Sequence, residues 1–209
     1  MNTAAMDLSV EGLACRRAGR TLFRDVAFTL RSGEVLQIEG HNGSGKTTLL
    51  RILCGLTRPA EGRVCWAGED IRDNYAAYAT HLSYVGHHAG IKEELTPLEN
   101  LAFAAALGGA GGGSPEQALQ RVGLPFECEE LPCRKLSAGQ RRRVALARLL
   151  LVSSRLWVLD EPFTALDVAG RALVETLLRE HAAQGGMAVV TSHHAVDLEG
   201  CTVQQLHLG

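Results

Sequence analysis

Short apolar runs alternate with helical patterns along much of the chain, and this alternation predicts the fold. Residues 35–39, 156–159 and 188–191 form runs too short for helices but typical of strands that are buried on both faces. Amphipathic helical spacing follows at residues 48–53 and 168–183. Strands that alternate with helices predict an α/β fold built on a parallel sheet, with a ligand site at its carboxyl edge.

A different pattern fills the N-terminal part of the chain. Residues 8–30 read as short strands separated by turns at Gly19-Arg20 and Arg24-Asp25. Residues 62–68 form another short strand bounded by glycines. These runs predict a small antiparallel β subdomain beside the parallel sheet.

The composition changes again near residue 82. Thr96-Pro97 has the residue types of a helix start, and Ser114-Pro115 opens a second helix after a glycine-rich loop. We therefore expect residues 82–151 to form a helical subdomain inserted into a core made by residues 1–81 and 152–209. The whole chain, residues 1–209, would then be a single domain.

Bulk properties exclude several classes of protein. The 209 residues carry a formal net charge of −2, so no general field favours nucleic acid. The six cysteines include no C-x-x-C pair and read as reduced thiols of a cytosolic protein. No apolar run approaches the ~20 residues of a membrane span, so we expect membrane association only through partners.

The strongest chemical signal lies between the first buried strand and its helix. Eight consecutive residues fit G-x-x-x-x-G-K-[ST], a loop whose backbone N–H groups and lysine hold a triphosphate. Lys46 would contact the β- and γ-phosphates, and Thr47 would offer a hydroxyl to Mg²⁺. With Thr48, which follows them, the predicted nucleotide-binding residues are Gly40, His41, Asn42, Gly43, Ser44, Gly45, Lys46 and Thr47. The sequence predicts ATP and Mg²⁺ as cofactors.

Two acids end the buried run at residues 156–159. A carboxylate at the end of a strand beside a phosphate loop can hold Mg²⁺, which predicts this role for Asp160. The next carboxylate, Glu161, lies where it could polarise an attacking water. We therefore predict hydrolysis of the bound nucleotide, with Glu161 and Lys46 as catalytic residues.

A third motif, Leu136-Ser137-Ala138-Gly139-Gln140, resembles the signature of ATP-binding-cassette (ABC) ATPases, with Ala138 in place of a usual glycine. The resemblance covers nearly the whole chain. It implies a P-loop ATPase fold and a second copy of the chain as partner, because two cassettes of this family enclose two ATP molecules head to tail. Ser137, Gly139 and Gln140 would then contact the ATP held by the other copy.

The same resemblance assigns further residues. His193, after the run at residues 188–191, matches the histidine that contacts the γ-phosphate. His87 or His88 stands where the family usually has a glutamine that touches Mg²⁺, and we take His87 as the candidate. Arg17 stands where an aromatic residue usually stacks on adenine, although contacts from Phe23 are also possible.

Within the family, the chain looks most like the ATP-binding subunits of cytochrome c biogenesis systems, the haem exporter ATPases. The residues that carry this likeness are 86–92, 136–150, 156–167 and 191–194. The likeness implies integral membrane subunits as partners, a location at the cytoplasmic face of the bacterial inner membrane, and a role in haem handling.

Other classes fit less well. A soluble ABC ATPase acting on nucleic acid or the ribosome is the main alternative, but such proteins usually carry two cassettes or long insertions. A P-loop kinase or GTPase would lack the motif at residues 136–140, and the guanine-binding Asn-Lys-x-Asp is absent from the sequence. We therefore predict an ATPase that drives a membrane complex, without a nucleic-acid partner.

Overall fold

A five-stranded parallel sheet forms the centre of the protein. The computed structural model describes residues 6–17, 19–108, 113–192, 196 and 198–209. Adjacent strands in the order β6-β7-β8-β3-β9 are all parallel. The strands are β3 (Glu34–Gly40), β6 (Leu82–Val85), β7 (Leu156–Leu159), β8 (Met187–Thr191) and β9 (Thr202–Leu208). Since the strands are parallel, their carboxyl ends lie along one edge of the sheet.

A second sheet is antiparallel and has the order β2-β1-β4-β5. Its strands are β1 (Leu8–Arg17), β2 (Arg20–Leu30), β4 (Glu61–Trp66) and β5 (Glu69–Asp70). The predicted fold class is confirmed: a mainly parallel α/β core stands beside a small antiparallel sheet formed largely by N-terminal residues.

The predicted turn at Arg24-Asp25 does not separate two strands. β2 continues through this dipeptide, and Asp25 adopts a left-handed conformation with φ 54°. The pairing of β1 with β2 shifts register between Leu13 and Cys15 and at two neighbouring positions. A turn-forming residue in a long strand was thus accommodated as a local irregularity, since one left-handed residue can bend a strand without ending it.

Side chains of the parallel sheet enter two hydrophobic clusters, one on each face. On one face Trp157, Leu159 and Val190 pack with residues of the connection between β6 and β7 and with residues of α6 (Val168–Ala183). On the other face Val158 and other residues pack with α1 (Lys46–Leu53) and the antiparallel sheet. All the residues of β7 and β8 are buried, as the continuous apolar runs predicted.

Helices cover this sheet, and some of them lie in the connection between β6 and β7. They are α1 (Lys46–Leu53), α2 (Tyr75–Ala79), α3 (Pro97–Gly108), α4 (Pro115–Arg121), α5 (Ala138–Ala147) and α6. The connecting helices α3, α4 and α5 pack on one another. β6, which begins at Leu82, belongs to the parallel sheet. The division of the chain at residues 82 and 151 remains a prediction.

No helix within the described part of the chain is long and apolar enough to span a bilayer.

Candidate active site

The loop that joins β3 to α1 depends on glycine geometry. Gly40, Gly43 and Gly45 have φ values of 151°, 88° and 102°, a region that side chains disfavour. A Cβ at Gly40 would lie 2.3 Å from the carbonyl oxygen of Leu208 in β9. Glycine is therefore required here both by the backbone conformation and by the close approach of a neighbouring strand.

Helix α1 begins at the end of this loop without a side-chain cap. Gly45 occupies the N-cap position, and no side-chain hydrogen bond caps the helix. The first N–H groups of any α-helix lack intrahelical partners, so this N-terminus offers donors and a partial positive charge. The Lys46 ammonium lies inside the loop, where it donates to the carbonyl oxygens of Gly40 at 2.6 Å and His41 at 3.1 Å. Such an arrangement suits a phosphate group.

Asp160 follows β7 directly and is 2% exposed. Its Oδ1 accepts a hydrogen bond of 2.9 Å from the Thr191 hydroxyl. Its Oδ2 is buried and has no hydrogen-bond partner in the described structure. A buried carboxylate oxygen without a donor is costly, which makes Oδ2 a good ligand for a cation.

Glu161 adopts a left-handed conformation with φ 49°. Its backbone N–H donates to the Thr191 hydroxyl at 2.8 Å. Its carboxylate accepts from the Thr164 hydroxyl at 3.3 Å and lies 3.9 Å from Nδ1 of His87. The structure thus brings His87 to the predicted catalytic acid. The ring of His88 packs edge-on against that of His87, with 5.5 Å between ring centroids.

Arg142 is a component of this site that sequence reasoning missed. Three consecutive arginines on a helix, Arg141-Arg142-Arg143, are typical of a solvated face, but Arg142 is 5% exposed. Its guanidinium donates to three backbone carbonyls: those of Asp160 at 2.7 Å, Gly86 at 2.8 Å and Pro162 at 3.3 Å. Burial lowers the pKa of Arg142 from its usual value. Helical spacing gave no signal for Arg142, because Val144 to Ala147 are all buried and each of the three arginines lies three or four positions before one of them.

The signature residues form the N-terminus of α5. Ser137 caps the helix: its hydroxyl accepts from the Gln140 N–H at 3.1 Å, while the Gln140 side chain accepts from the Ser137 N–H at 2.8 Å. Ser137 is exposed. Because the hydroxyl acts as an acceptor in this capping box, its own proton remains available for a ligand.

Gly139 packs against the segment that follows Glu161. A Cβ at Gly139 would lie 2.7 Å from the carbonyl oxygen of Ala165, so the close approach requires glycine. In the same segment Asp167 caps α6 through the Gly170 N–H and pairs with Arg143 at 3.1 Å. The signature and the residues 164–167 therefore form one packed unit.

Three predicted positions have weaker structural support. Arg17 lies exposed at the end of β1, where it stands opposite Arg20 in the register of β1 and β2. Phe23 is buried beneath the phosphate loop, and its ring would lie 3.0 Å from a Cβ at Gly45. His193 lies outside the described residues. The roles of all three residues stay predictions.

The residues of this site lie in a region that matches a known protein family. The sequence profile of the ABC transporter family matches residues 23–164, which include the phosphate loop, the signature and both acids. This chain belongs to the ABC transporter family. It is therefore the ATP-binding, ATP-hydrolysing subunit of a transporter of this family.

Similar proteins identify the group within this family to which the chain belongs. The chain is 58% identical over 198 residues to the cytochrome c biogenesis ATP-binding export protein CcmA of Nitrosococcus oceani, with 95% of this chain and 91% of that protein covered. It is 55% identical to the protein of the same name from Methylococcus capsulatus, with 92% and 94% covered. The chain thus belongs with the cytochrome c biogenesis ATP-binding export proteins.

Solved structures agree on the fold. An ABC transporter ATP-binding protein from Pyrococcus furiosus superposes with a TM-score of 0.82 at 25% identity, covering 97% of each chain. The dimeric structure of a bacterial ABC transporter cassette superposes with a TM-score of 0.76 at 25% identity, covering 90% of this chain and 88% of that one. Both neighbours are ABC ATPase cassettes, in agreement with the family match.

Proposed function

We propose that this chain energises a membrane complex for cytochrome c biogenesis, and that two copies of the chain form its ATP sites. The proposal goes beyond the family assignment in three respects: the roles of single residues, a bound cation, and the partners. The observation that carries it is the placement of the uncapped α1 N-terminus and of Asp160 at one sheet edge.

Strand register brings the two motifs to that edge. β8 lies between β3 and β7, with Ile38 opposite Thr191 and Leu159 opposite Val190. The phosphate loop leaves the end of β3, and Asp160 leaves the end of β7. A triphosphate held by Lys46 and the α1 N-terminus therefore lies beside the acids in this proposal.

The residues fit Mg²⁺. Asp160 supplies a buried oxygen without a donor, and Thr47 stands next to Lys46 at the start of α1. Among the residues that the structure describes, no cluster of three or more His, Cys, Asp or Glu could hold a metal. That suits Mg²⁺, which usually takes one or two protein ligands and completes its shell with phosphate oxygens and water. Bound there, Mg²⁺ would neutralise phosphate charge, with His87 as a further candidate ligand.

Glu161 is the residue that we assign to orient the attacking water. Glu161 directly follows Asp160 in the sequence. Its left-handed backbone turns the chain away from the direction of the preceding strand. Nδ1 of His87 lies 3.9 Å from the Glu161 carboxylate. We assign the γ-phosphate contact to His193 on the family resemblance.

The second half of each site comes from another copy of the chain in this proposal. Ser137 presents a hydroxyl proton, and the N-terminus of α5 presents the Gly139 N–H as a backbone donor. The Gln140 N–H is used by the cap, so we assign Gln140 to the site on the family resemblance. The bacterial ABC transporter cassette that superposes on this chain is itself a dimer, which supports a pair of copies here. A head-to-tail pair would place these donors on the ATP held by the partner copy.

The membrane role follows from the relatives, whose name is cytochrome c biogenesis ATP-binding export protein. We infer integral membrane subunits as partners, a peripheral location at the cytoplasmic face of the inner membrane, and haem as the molecule handled. The similar proteins give the nucleic-acid alternative no support.

The decisive test of the ATP site is Glu161→Gln. We expect hydrolysis to fall by about 100-fold or more, since one lost electrostatic contact costs ~3–4 kcal/mol of transition-state stabilisation. ATP binding should persist, so the variant should accumulate as an ATP-bound dimer in size-exclusion chromatography. The matched control is Glu69→Gln on the exposed surface of β5. Wild-type turnover by Glu161→Gln would remove Glu161 from its role.

The partner is tested separately by purification of the tagged chain from membranes. Recovery with a hydrophobic membrane protein supports the proposal, and absorbance of bound haem in that complex tests the molecule handled. Recovery with RNA or DNA instead would favour the nucleic-acid alternative.

A further inference from the structure

Thr191 is a fully buried polar residue at the end of β8, with 0% of its surface exposed. β8 lies between the strand that ends in the phosphate loop and the strand that ends in Asp160. In the sequence, this threonine ends a run that is otherwise apolar, Met187 to Val190. A buried hydroxyl needs hydrogen-bond partners, and both of its partners belong to the site described above.

The direction of both hydrogen bonds is fixed by chemistry. The Glu161 backbone N–H can only donate, so the Thr191 hydroxyl accepts there at 2.8 Å. The single proton of the hydroxyl is then used for Oδ1 of Asp160, at 2.9 Å. One side chain thus joins the two neighbouring acids through different atoms.

For Asp160, this bond decides which oxygen is free. Oδ1 is satisfied by Thr191, while Oδ2 stays buried without a partner in the described structure. A carboxylate can rotate about its last bond, and a donor on one oxygen restricts that rotation. The free oxygen therefore keeps one direction.

For Glu161, the bond holds a strained backbone. A left-handed conformation is strained for a non-glycine residue such as Glu161. The N–H of Glu161 is held by Thr191, and the preceding carbonyl, that of Asp160, is held by Arg142. Strain that persists at a functional site is held by such surrounding contacts.

We propose that Thr191 is a positioning residue: its hydroxyl aims the free oxygen of Asp160 at the metal and keeps Glu161 in its left-handed conformation. The inference rests on the proposed roles of Asp160 and Glu161. It assigns Thr191 no contact with ATP. Loss of the hydroxyl should therefore lower turnover and metal affinity together, while it leaves metal-free ATP binding intact.

The test compares Thr191→Val, which keeps the shape, with Thr191→Ser, which keeps the hydroxyl. We expect Thr191→Val to lower kcat about tenfold and to raise the Mg²⁺ concentration for half-maximal activity several-fold, since removing a partner leaves a buried acceptor unsatisfied. Binding of a fluorescent ATP analogue in EDTA should stay within about twofold, and Thr191→Ser should stay within about threefold in every measurement. Thr176→Val, on the accessible side of α6, controls for the substitution itself.

Several outcomes separate a positioning role from a structural one. Reduced folding alone would lower activity in proportion to the number of ATP-binding sites and leave the Mg²⁺ half-saturation unchanged, which would overturn the proposal. Equal activity of the valine and serine variants would also overturn it. If Thr191→Val does not fold, Thr191→Ser and Thr191→Ala replace the pair, because they differ only by the hydroxyl. Failure of the proposed site roles would instead appear as wild-type turnover by Glu161→Gln.

Discussion

The N-termini of helices α1 and α5 differ in how they are capped. Helix α1 starts at Gly45 without a side-chain cap, whereas α5 starts at Ser137 with a complete capping box. Both ends carry the positive charge of a helix dipole. The α1 end has no side-chain acceptor for its donors, whereas the Ser137 side chain already accepts from one donor of the α5 end.

The difference indicates how the two ends share a ligand. The α1 end, with Lys46 at its first position, is poorly satisfied by its own chain and suits an anion that binds tightly. The α5 end is stable by itself, and its exposed Ser137 hydroxyl adds one donor to an anion that arrives already bound. ATP binding therefore belongs to the phosphate loop, and completion of the site belongs to the signature of the other copy in our proposal.

The largest effect is expected from breaking each end and then mixing the variants. Lys46→Ala removes the phosphate cation, and Ser137→Asp turns the donor into a repelling charge. Each alone should lose about 100-fold in hydrolysis. In mixed dimers one composite site carries both defects and the other carries none, so an equimolar mixture should recover about a quarter of wild-type activity.

Recovery in that mixture requires that each site take residues from two chains. No recovery in heterodimers, isolated by different tags, would contradict the shared site. The control is Lys92→Ala, whose ammonium lies 4.9 Å above the Phe103 ring and outside the proposed site. It should hydrolyse ATP at the wild-type rate.

The sequence predicts the α1 end well because its information is local. The buried strand, the glycines and Lys46 are consecutive in the chain, and the glycine φ values show why the motif needs them. The continuous apolar runs of β7 and β8 likewise predict burial on both faces, since both strands lie inside the sheet and a hydrophobic cluster covers each face. The roles that the motifs predict for single residues remain to be measured.

Arg142 and Thr191 were not predicted, because their partners are distant in sequence. Arg142 binds a carbonyl 56 residues earlier, and Thr191 binds an acid 31 residues earlier. No periodicity of α5 distinguishes the buried Arg142 from its two neighbours, and a single threonine at a strand end carries no motif. Strand order, which places β6, β7 and β8 side by side, brings these partners together. β9 was also missing from the prediction.

Arg142 links α5 to the acidic end of the ATP site and should give the next largest effect. It extends from α5 to the carbonyls of Gly86 and Asp160, at the ends of β6 and β7. Arg142→Lys keeps a positive charge but cannot span three carbonyls, because an ammonium has no planar fork. We expect a loss of about 2–3 kcal/mol in the free energy of unfolding, measured in urea, and a lower kcat.

The neighbouring arginine provides the control for that change. Arg141 donates to the Leu136 carbonyl within its own helix start and is half-buried, so Arg141→Lys should cost less than about 1 kcal/mol. Equal losses for the two variants would show that the carbonyls of Gly86 and Asp160 do not depend on Arg142.

The smallest effect concerns the cap itself and separates its two roles. Ser137→Ala removes the side-chain acceptor at the start of α5 and should lower the free energy of unfolding by about 1 kcal/mol. Ser137→Asp keeps an acceptor of equal capping strength, so its stability should stay near that of wild type although hydrolysis is lost. Urea unfolding and ATPase assays on the same samples measure both quantities. A variant pair that loses stability and activity in parallel would mean that Ser137 acts only as a cap, and the contrast between the two helix ends would then have no part in ATP hydrolysis.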